Sequence, residues 1–152
     1  MAPMAAYRRM DAGSAAEALA MMRRFYAEEA LEFREERARR AVEHLAAHPE
    51  AGGFWFIEDG GRALGYFVLT LCHSLEFGGR FALLDEFFVD PGHRGAGVGA
   101  LALARIEEEA ASLGVEAVRL EADRGNPRVR AFYRRNGFTA HERDIMTKWL
   151  RG

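Results

Sequence analysis

The sequence predicts an α/β fold: one domain over residues 1–152, with a mixed, largely antiparallel sheet flanked by helices. Three observations carry this. Helical and strand periodicities follow one another in the order β-α-α-β-β-β-α-β-α-β. Two strand pairs are joined through glycine pairs, Gly60-Gly61 and Gly78-Gly79, and so read as hairpins. The chain has 152 residues, 49% apolar and 29% charged, which is enough for one sizeable core.

Each element has its own signal. "AAYRRMD" reads as a short first strand. From Ser14 to about Ala30 the pattern is helical, with Ser14 as cap, Glu17 completing a capping box, and Leu19, Met22 and Tyr26 near one face. "REERARRAVEHLAAH" continues as a second helix that Pro49 must stop. "GFWFIED" and "ALGYFVLTLCHSL" form the first hairpin, and "EFGGR" turns the chain into "FALLDEFFVD". Val98, Ala102, Ile106, Ala110 and Leu113 hold helical spacing up to Gly114. "VEAVRLEAD" reads as a buried strand and "NPRVRAFYRRNG" as a short helix with an early proline. "FTAHERDIMTKWL" reads as a closing strand or pair of strands.

Bulk properties exclude several classes. A formal net charge of −2 disfavours nucleic acid and anionic lipid as partners. The one cysteine, Cys72, permits no intrachain disulfide and fits a reducing compartment. "MAPMAAYRRM" lacks the apolar core of a secretion signal, and the longest apolar stretch, "GYFVLTLC", is too short to span a membrane. A cytoplasmic location without a membrane partner is expected. No metal is expected either. His44 and His48 have i,i+4 spacing, but position 45 is Leu and Pro49 ends the helix at once. Cys72 and His73 are adjacent on a strand, so they face opposite ways and form no dyad; Cys72 is expected to be a buried thiol.

The informative stretch is "DEFFVDPGHRGAGVGALAL". A strand breaks at Pro91, and Gly95, Gly97 and Gly99 alternate before a helix. A triphosphate loop would need Lys followed by Ser or Thr, and Ala100-Leu101 stand there instead. Gly97, Gly99 and Ala102 fit a dinucleotide fingerprint with Glu121 beyond, but the repeated parallel units of such a fold do not follow. The remaining ligand reading is a pyrophosphate cradled by amides at a helix N-terminus; the plain alternative is a glycine-rich turn with no ligand.

"VDPGHRGAGVG" resembles the acetyl-coenzyme-A signature of the GCN5-related N-acetyltransferase (GNAT) superfamily, with Arg94, Gly97 and Gly99 at its fixed positions. "NPRVRAFYRRNGF" is similar to the family's later motif through Asn126, Ala131, Phe132, Tyr133, Gly137 and Phe138. Within the superfamily the style is nearest to small-amine and diamine acetyltransferases. The resemblance implies a splayed strand pair, "FFVD" parting from "AVRLEAD", with the pantetheine arm between. It places backbone groups of Phe87, Phe88 and Val89 beside that arm. It places the pyrophosphate on the amides of Arg94, Gly95, Ala96, Gly97, Val98, Gly99 and Ala100, with Asn126, Phe132 and Tyr133 also at the cofactor. A homodimer is a further implication. The arginines near the later motif, Arg124, Arg128, Arg130, Arg134 and Arg135, read chiefly as a solvated face.

Acetyl transfer to an amine requires loss of the ammonium proton, a donor for the oxyanion, and a proton for the leaving thiolate. The resemblance assigns the oxyanion to the Val89 amide and makes Tyr133 the candidate acid; the plain reading of Tyr133 is a packed aromatic. Asp85 and Glu86 are the candidate bases and ammonium partners. Strand alternation sends them to opposite faces, Asp85 with Phe87 and Val89, Glu86 with Phe88. The related enzymes carry Glu then Asp here, the reverse order. Glu86 has the longer reach and slightly the greater weight; Asp85 has the matching position. Tyr26 and Glu29, with Glu28, Glu32 and Phe33 in "FYAEEALEF", supply an acidic and aromatic lip for a small cationic amine; an exposed amphipathic helix is the plain alternative. The expected function is therefore direct transfer from acetyl-CoA to a primary amine of a small molecule in a ternary complex. A protein N-terminal or lysine acetyltransferase and a non-catalytic acyl-CoA sensor are the alternatives.

Overall fold

The computed structural model describes residues 5–151. Its secondary structure is β1 (Ala6–Arg9), α1 (Ala15–Glu28), α2 (Glu35–Ala47), β2 (Gly52–Asp59), β3 (Arg62–Ser74), β4 (Gly79–Val89), α3 (Val98–Ser112), β5 (Val118–Leu120) and α4 (Pro127–Arg135). Single 3-10 turns lead into α1, β2 and the glycine stretch. The strands form one open sheet in the order β1-β2-β3-β4-β5. The first three pairings are antiparallel and the β4–β5 pairing is parallel, so the sheet is mixed and largely antiparallel as expected.

Local chemistry accounts for the boundaries. Gly60 and Gly61 both take positive φ, 58° and 79°, and close the β2–β3 hairpin. Gly114 at φ 81° ends α3. The start of α1 departs from the Ser14/Glu17 capping box. Ser14 Oγ instead accepts from the Asp11 amide at 3.0 Å, while Glu17 is drawn away to Arg8 at 2.9 Å. The end of α1 has no glycine. Ala30 takes the left-handed conformation, φ 54°, and Leu31 N donates to Tyr26 O at 2.8 Å, the long bond of a Schellman close.

One face of the sheet presents Phe54, Phe56, Tyr66, Val68 and Phe88, which pack with Leu19, Met21 and Met22 of α1 and Val42 of α2. Full burial of rings of this size contributes on the order of 2–3 kcal/mol each. α3 buries Val98, Ala102, Leu103, Ile106 and Ala110 and packs on β3 and β4.

The chain resolves into two compact units, one ending at Glu121 and one beginning at Ala122. The sheet and α1–α3 belong to the first. In the second, Asn126 caps α4 by accepting from Val129 N at 3.2 Å, and Arg124 holds the following chain through Arg143 O at 2.9 Å and Asp144 at 3.2 Å. The closing strand expected over "FTAHERDIMTKWL" is not formed; residues 138–151 carry no strand. The polar run His141–Asp144 breaks any two-residue alternation in its middle, and Ile145, Met146, Trp149 and Leu150 are exposed.

Candidate active site

The site begins where β4 loses one neighbour. β5 pairs with β4 only from Ala82↔Val118 to Leu84↔Leu120. Beyond Leu84, β4 runs on to Val89 along β3 alone, which is the splay the sequence led us to expect. At the point of parting the β3–β4 register shifts: Leu69 faces Leu84 and Val68 faces Glu86, leaving Asp85 as an extra, unpaired residue. Asp85 is thus a β-bulge, and a bulge at the rim of an opening re-aims side chains. Strict alternation between Asp85 and Glu86, assumed from the sequence, does not hold across it.

Glu86 lies on the face of Phe88 and points to α1. Its Oε1 accepts from the Tyr66 hydroxyl at 2.7 Å, and its Oε2 accepts from the Tyr26 hydroxyl. Burial raises the Glu86 pKa, the two tyrosine hydrogen bonds oppose that, and the charge of Asp85 adds to it. Both tyrosines are raised in turn, first by burial and then by the carboxylates. Asp85 differs. The residue is solvent-exposed, yet enough protein flanks its carboxyl to raise the pKa by desolvation, with Glu121 adding repulsion. No hydrogen bond engages its carboxylate among the described residues.

Backbone direction follows from one bond. Asp90 N donates to Leu64 O of β3 at 2.7 Å. Successive amides along a strand alternate, so the N–H of Val89 and of Phe87 point away from β3, to the edge β5 has vacated. Phe88 turns its backbone to β3, where it faces Tyr66, so the backbone groups of Phe87 and the N–H of Val89 remain available to an added chain, the Val89 carbonyl being taken by Arg94.

After Val89 the chain turns through Pro91–His93 into the glycines. Gly95 and Gly97 are left-handed, φ 83° and 82°, and a Cβ at either would meet nothing within 4 Å. Gly97 is the N-cap of α3, and the first helical bond runs from Leu101 N to Gly97 O at 3.1 Å. The amides of Val98, Gly99 and Ala100 therefore lack intrahelical partners and sit at the positive end of the helix. Arg94 does not extend toward them. Its Nε donates to Val89 O at 2.9 Å and its Nη1 to Glu28 at 3.0 Å. An open left-handed turn with free amides fits a pyrophosphate.

The acetyltransferase (GNAT) family profile matches residues 19–138. The chain belongs to the GNAT acetyltransferase family. An integron cassette protein from the mobile metagenome of Cole Harbour Salt Marsh is 33% identical, with a TM-score of 0.83 over 96% of this chain and 91% of that one. A predicted acetyltransferase from Clostridium acetobutylicum, solved with acetyl-CoA, is 18% identical with a TM-score of 0.80, covering 95% and 96%. An aminoglycoside acetyltransferase from an uncultured soil metagenomic sample, solved with sisomicin, is 14% identical with a TM-score of 0.77 over 97% of each chain. No curated protein is similar enough to match. The chain is thus an acetyl-CoA-dependent N-acetyltransferase.

In this GNAT acetyltransferase the structure brings Tyr26 to Glu86 and leaves Glu29 exposed at the end of α1. Asn126, Phe132 and Tyr133 belong to the second unit. Tyr133 meets Phe132 and Phe138 edge-on, centroids 5.3 and 5.5 Å away, and burial raises its pKa to about 12, so it stays protonated. Nothing in "GYFVL" distinguishes Tyr66 from a core aromatic, so its place beside Glu86 is visible only in the structure. Cys72 is half-buried, less enclosed than expected. His44 and His48 stack on each other, centroids 4.0 Å apart. Among the described residues no three acidic, histidine or cysteine side chains gather as metal ligands, and no helix is long and apolar enough to cross a membrane.

Proposed function

We propose that the enzyme acetylates a primary amine of a small cationic molecule by direct transfer in a ternary complex. The observation that carries this reading is the carboxylate pair at the β4 bulge: Glu86 clasped by two tyrosines and Asp85 exposed beside it, its pKa raised. Two anions where the strands part attract an ammonium, and Glu121 adds a third charge nearby.

The roles divide by hydrogen bonding. Both Glu86 oxygens already accept from tyrosines, which suits an anion that binds and orients an ammonium. Asp85 has free lone pairs and a raised pKa, which suits a base. The weight that longer reach gave to Glu86 therefore moves to Asp85. Acetyl-CoA supplies the acetyl thioester when bound. Its pyrophosphate suits the amides from Gly95 to Ala100, and its extended arm suits the Phe87 and Val89 edge groups. The Val89 N–H is the donor for charge developing on the acyl oxygen. Tyr133 donates the proton that the departing sulfur takes up.

The test is a panel of amines assayed for release of free CoA, including diamines, an aminoglycoside, neutral aromatic amines and peptides with free N-termini or lysines. Turnover concentrated on the small cations is expected. Turnover on peptides alone rejects the reading.

A further inference from the structure

We propose that Tyr66 is a positioning residue for the transfer reaction: its hydroxyl fixes the Glu86 carboxylate as the anion that meets the acceptor's ammonium. This rests on the reading of Glu86 given above. The two phenols that hold Glu86 are not equivalent. Tyr66 is 0% exposed and locked in place. Its ring stacks on Phe54 at 4.6 Å and 10°, meets Phe25 edge-on at 6.1 Å, and lies 6.1 Å from Phe88. A buried phenol needs a partner, and Glu86 Oε1 at 2.7 Å is the one it has. Tyr26 is half-buried at the C-terminal end of α1, beside exposed Glu28 and Glu29. The Oε1 side of the carboxylate is thus fixed to the core, and the Oε2 side faces the half-buried Tyr26 near the exposed end of α1.

The charges around Glu86 set the expected sign. Tyr26 of α1, Tyr66 of β3 and Asp85 of β4 act on Glu86 directly, while Arg24 of α1 and Arg94 of the glycine stretch lie over the neighbouring Phe88 ring and are paired with Asp90 and Glu28. The tyrosine hydrogen bonds favour the ionised carboxylate and Asp85 disfavours it. Removing the Tyr66 hydroxyl therefore raises the pH at which Glu86 ionises and frees the carboxylate to rotate.

The experiment follows the Glu86 side-chain carbon by NMR through a pH titration of the whole, acceptor-free protein, in the parent and in Tyr66→Phe. The phenylalanine keeps the ring packing. The Glu86 midpoint moves up in Tyr66→Phe. For the best cationic amine KM rises by roughly 10- to 100-fold, the size expected for a hydrogen bond to a charged group, with kcat kept within a few fold. Glu86→Gln raises KM similarly, and adding Tyr66→Phe to it changes nothing further. An unmoved Glu86 midpoint, or a Tyr66→Phe effect that persists in full in the Glu86→Gln background, overturns the positioning role. If no cationic amine is a substrate of the parent enzyme, the acceptor reading falls, and the titration still decides whether Tyr66 controls Glu86.

Discussion

Glu28, in the last turn of α1, accepts from Arg94 of the glycine-rich stretch at 3.0 Å, while Arg24, one helical turn earlier, donates to Asp90 four residues before Arg94, a pair of reversed polarity. The two ion pairs lie side by side and tie residues 90–94 to the helix that carries Tyr26. Both are partly exposed, so each contributes little to stability, on the order of 0–1 kcal/mol. Their interest lies in charge. Glu28 neutralises Arg94, the residue that leads into the amides proposed for the pyrophosphate. Glu28→Gln is expected to tighten acetyl-CoA binding by about two- to fivefold, less so at high salt, with the melting temperature nearly unchanged. Calorimetry at two ionic strengths checks this; weaker binding would mean that the ion pair preorganises the turn.

The Schellman close of α1 holds Ala30 at φ 54°, a conformation that costs an L-residue roughly 1–2 kcal/mol. Ala30→Gly removes that cost and gives back part of it as unfolded-chain entropy. A net gain of about 0.5–1 kcal/mol is expected in urea unfolding. A loss would show that the turn after Tyr26 depends on the alanine methyl group.

At Gly97 the backbone is left-handed and space is open, so a side chain strains the turn without a clash. Gly97→Glu should fold, losing about 1–2 kcal/mol, and should abolish acetyl-CoA binding by setting a carboxylate against the pyrophosphate. Unchanged affinity in a folded variant would remove residues 94–100 from the cofactor site.

What the sequence made legible is what short spacing encodes. Gly60-Gly61, Gly114 and Pro49 mark a hairpin and two helix ends because each acts on its own neighbours. The glycine turn is readable for the same reason. The Asp85 bulge is not, because "LLDEFF" reads as an unbroken strand and the shift exists only relative to β3. The Tyr26–Glu86 bond joins residues 60 apart, and Tyr66 joins the cluster through strand register. The expected last strand failed for a related cause: a pattern proposes a strand, and only a partner's ladder makes one. Arg124 instead holds that chain by a carbonyl and a carboxylate.

Burial lifts Tyr133 to about 12, which keeps it protonated at neutral pH as its proposed role of acid requires. Tyr133→Phe keeps its edge-on contacts with Phe132 and Phe138 and removes only the hydroxyl. A fall in kcat of roughly 10- to 1000-fold with acetyl-CoA affinity kept is expected from single-turnover kinetics and calorimetry. Parental turnover would make Tyr133 a packing residue.

Asp85 and Glu86 should separate cleanly under isosteric substitution. On the proposed division of roles, Asp85→Asn removes the base, so kcat falls and the rise of kcat/KM with pH is lost, and Glu86→Gln acts mainly on KM for the amine. The parental rise should be centred at a higher pH than for an ordinary aspartate, because desolvation and Glu121 raise Asp85. Stability runs the other way. With its folded pKa above the unfolded value of 3.8, Asp85 holds its proton more tightly in the native state. Between those two pH values the native state binds more protons than the unfolded one, so stability falls as pH rises through the window and stays lower above it. Asparagine has no proton to lose. Asp85→Asn should therefore be slightly more stable than the parent at pH 7 and lose that advantage near pH 3, while its activity drops. Melting curves at the two pH values, set beside the pH–rate profiles, check both halves. A variant that is inactive and also less stable at pH 7 would make Asp85 a structural residue of the bulge, and proton removal would then pass to Glu86 or to solvent.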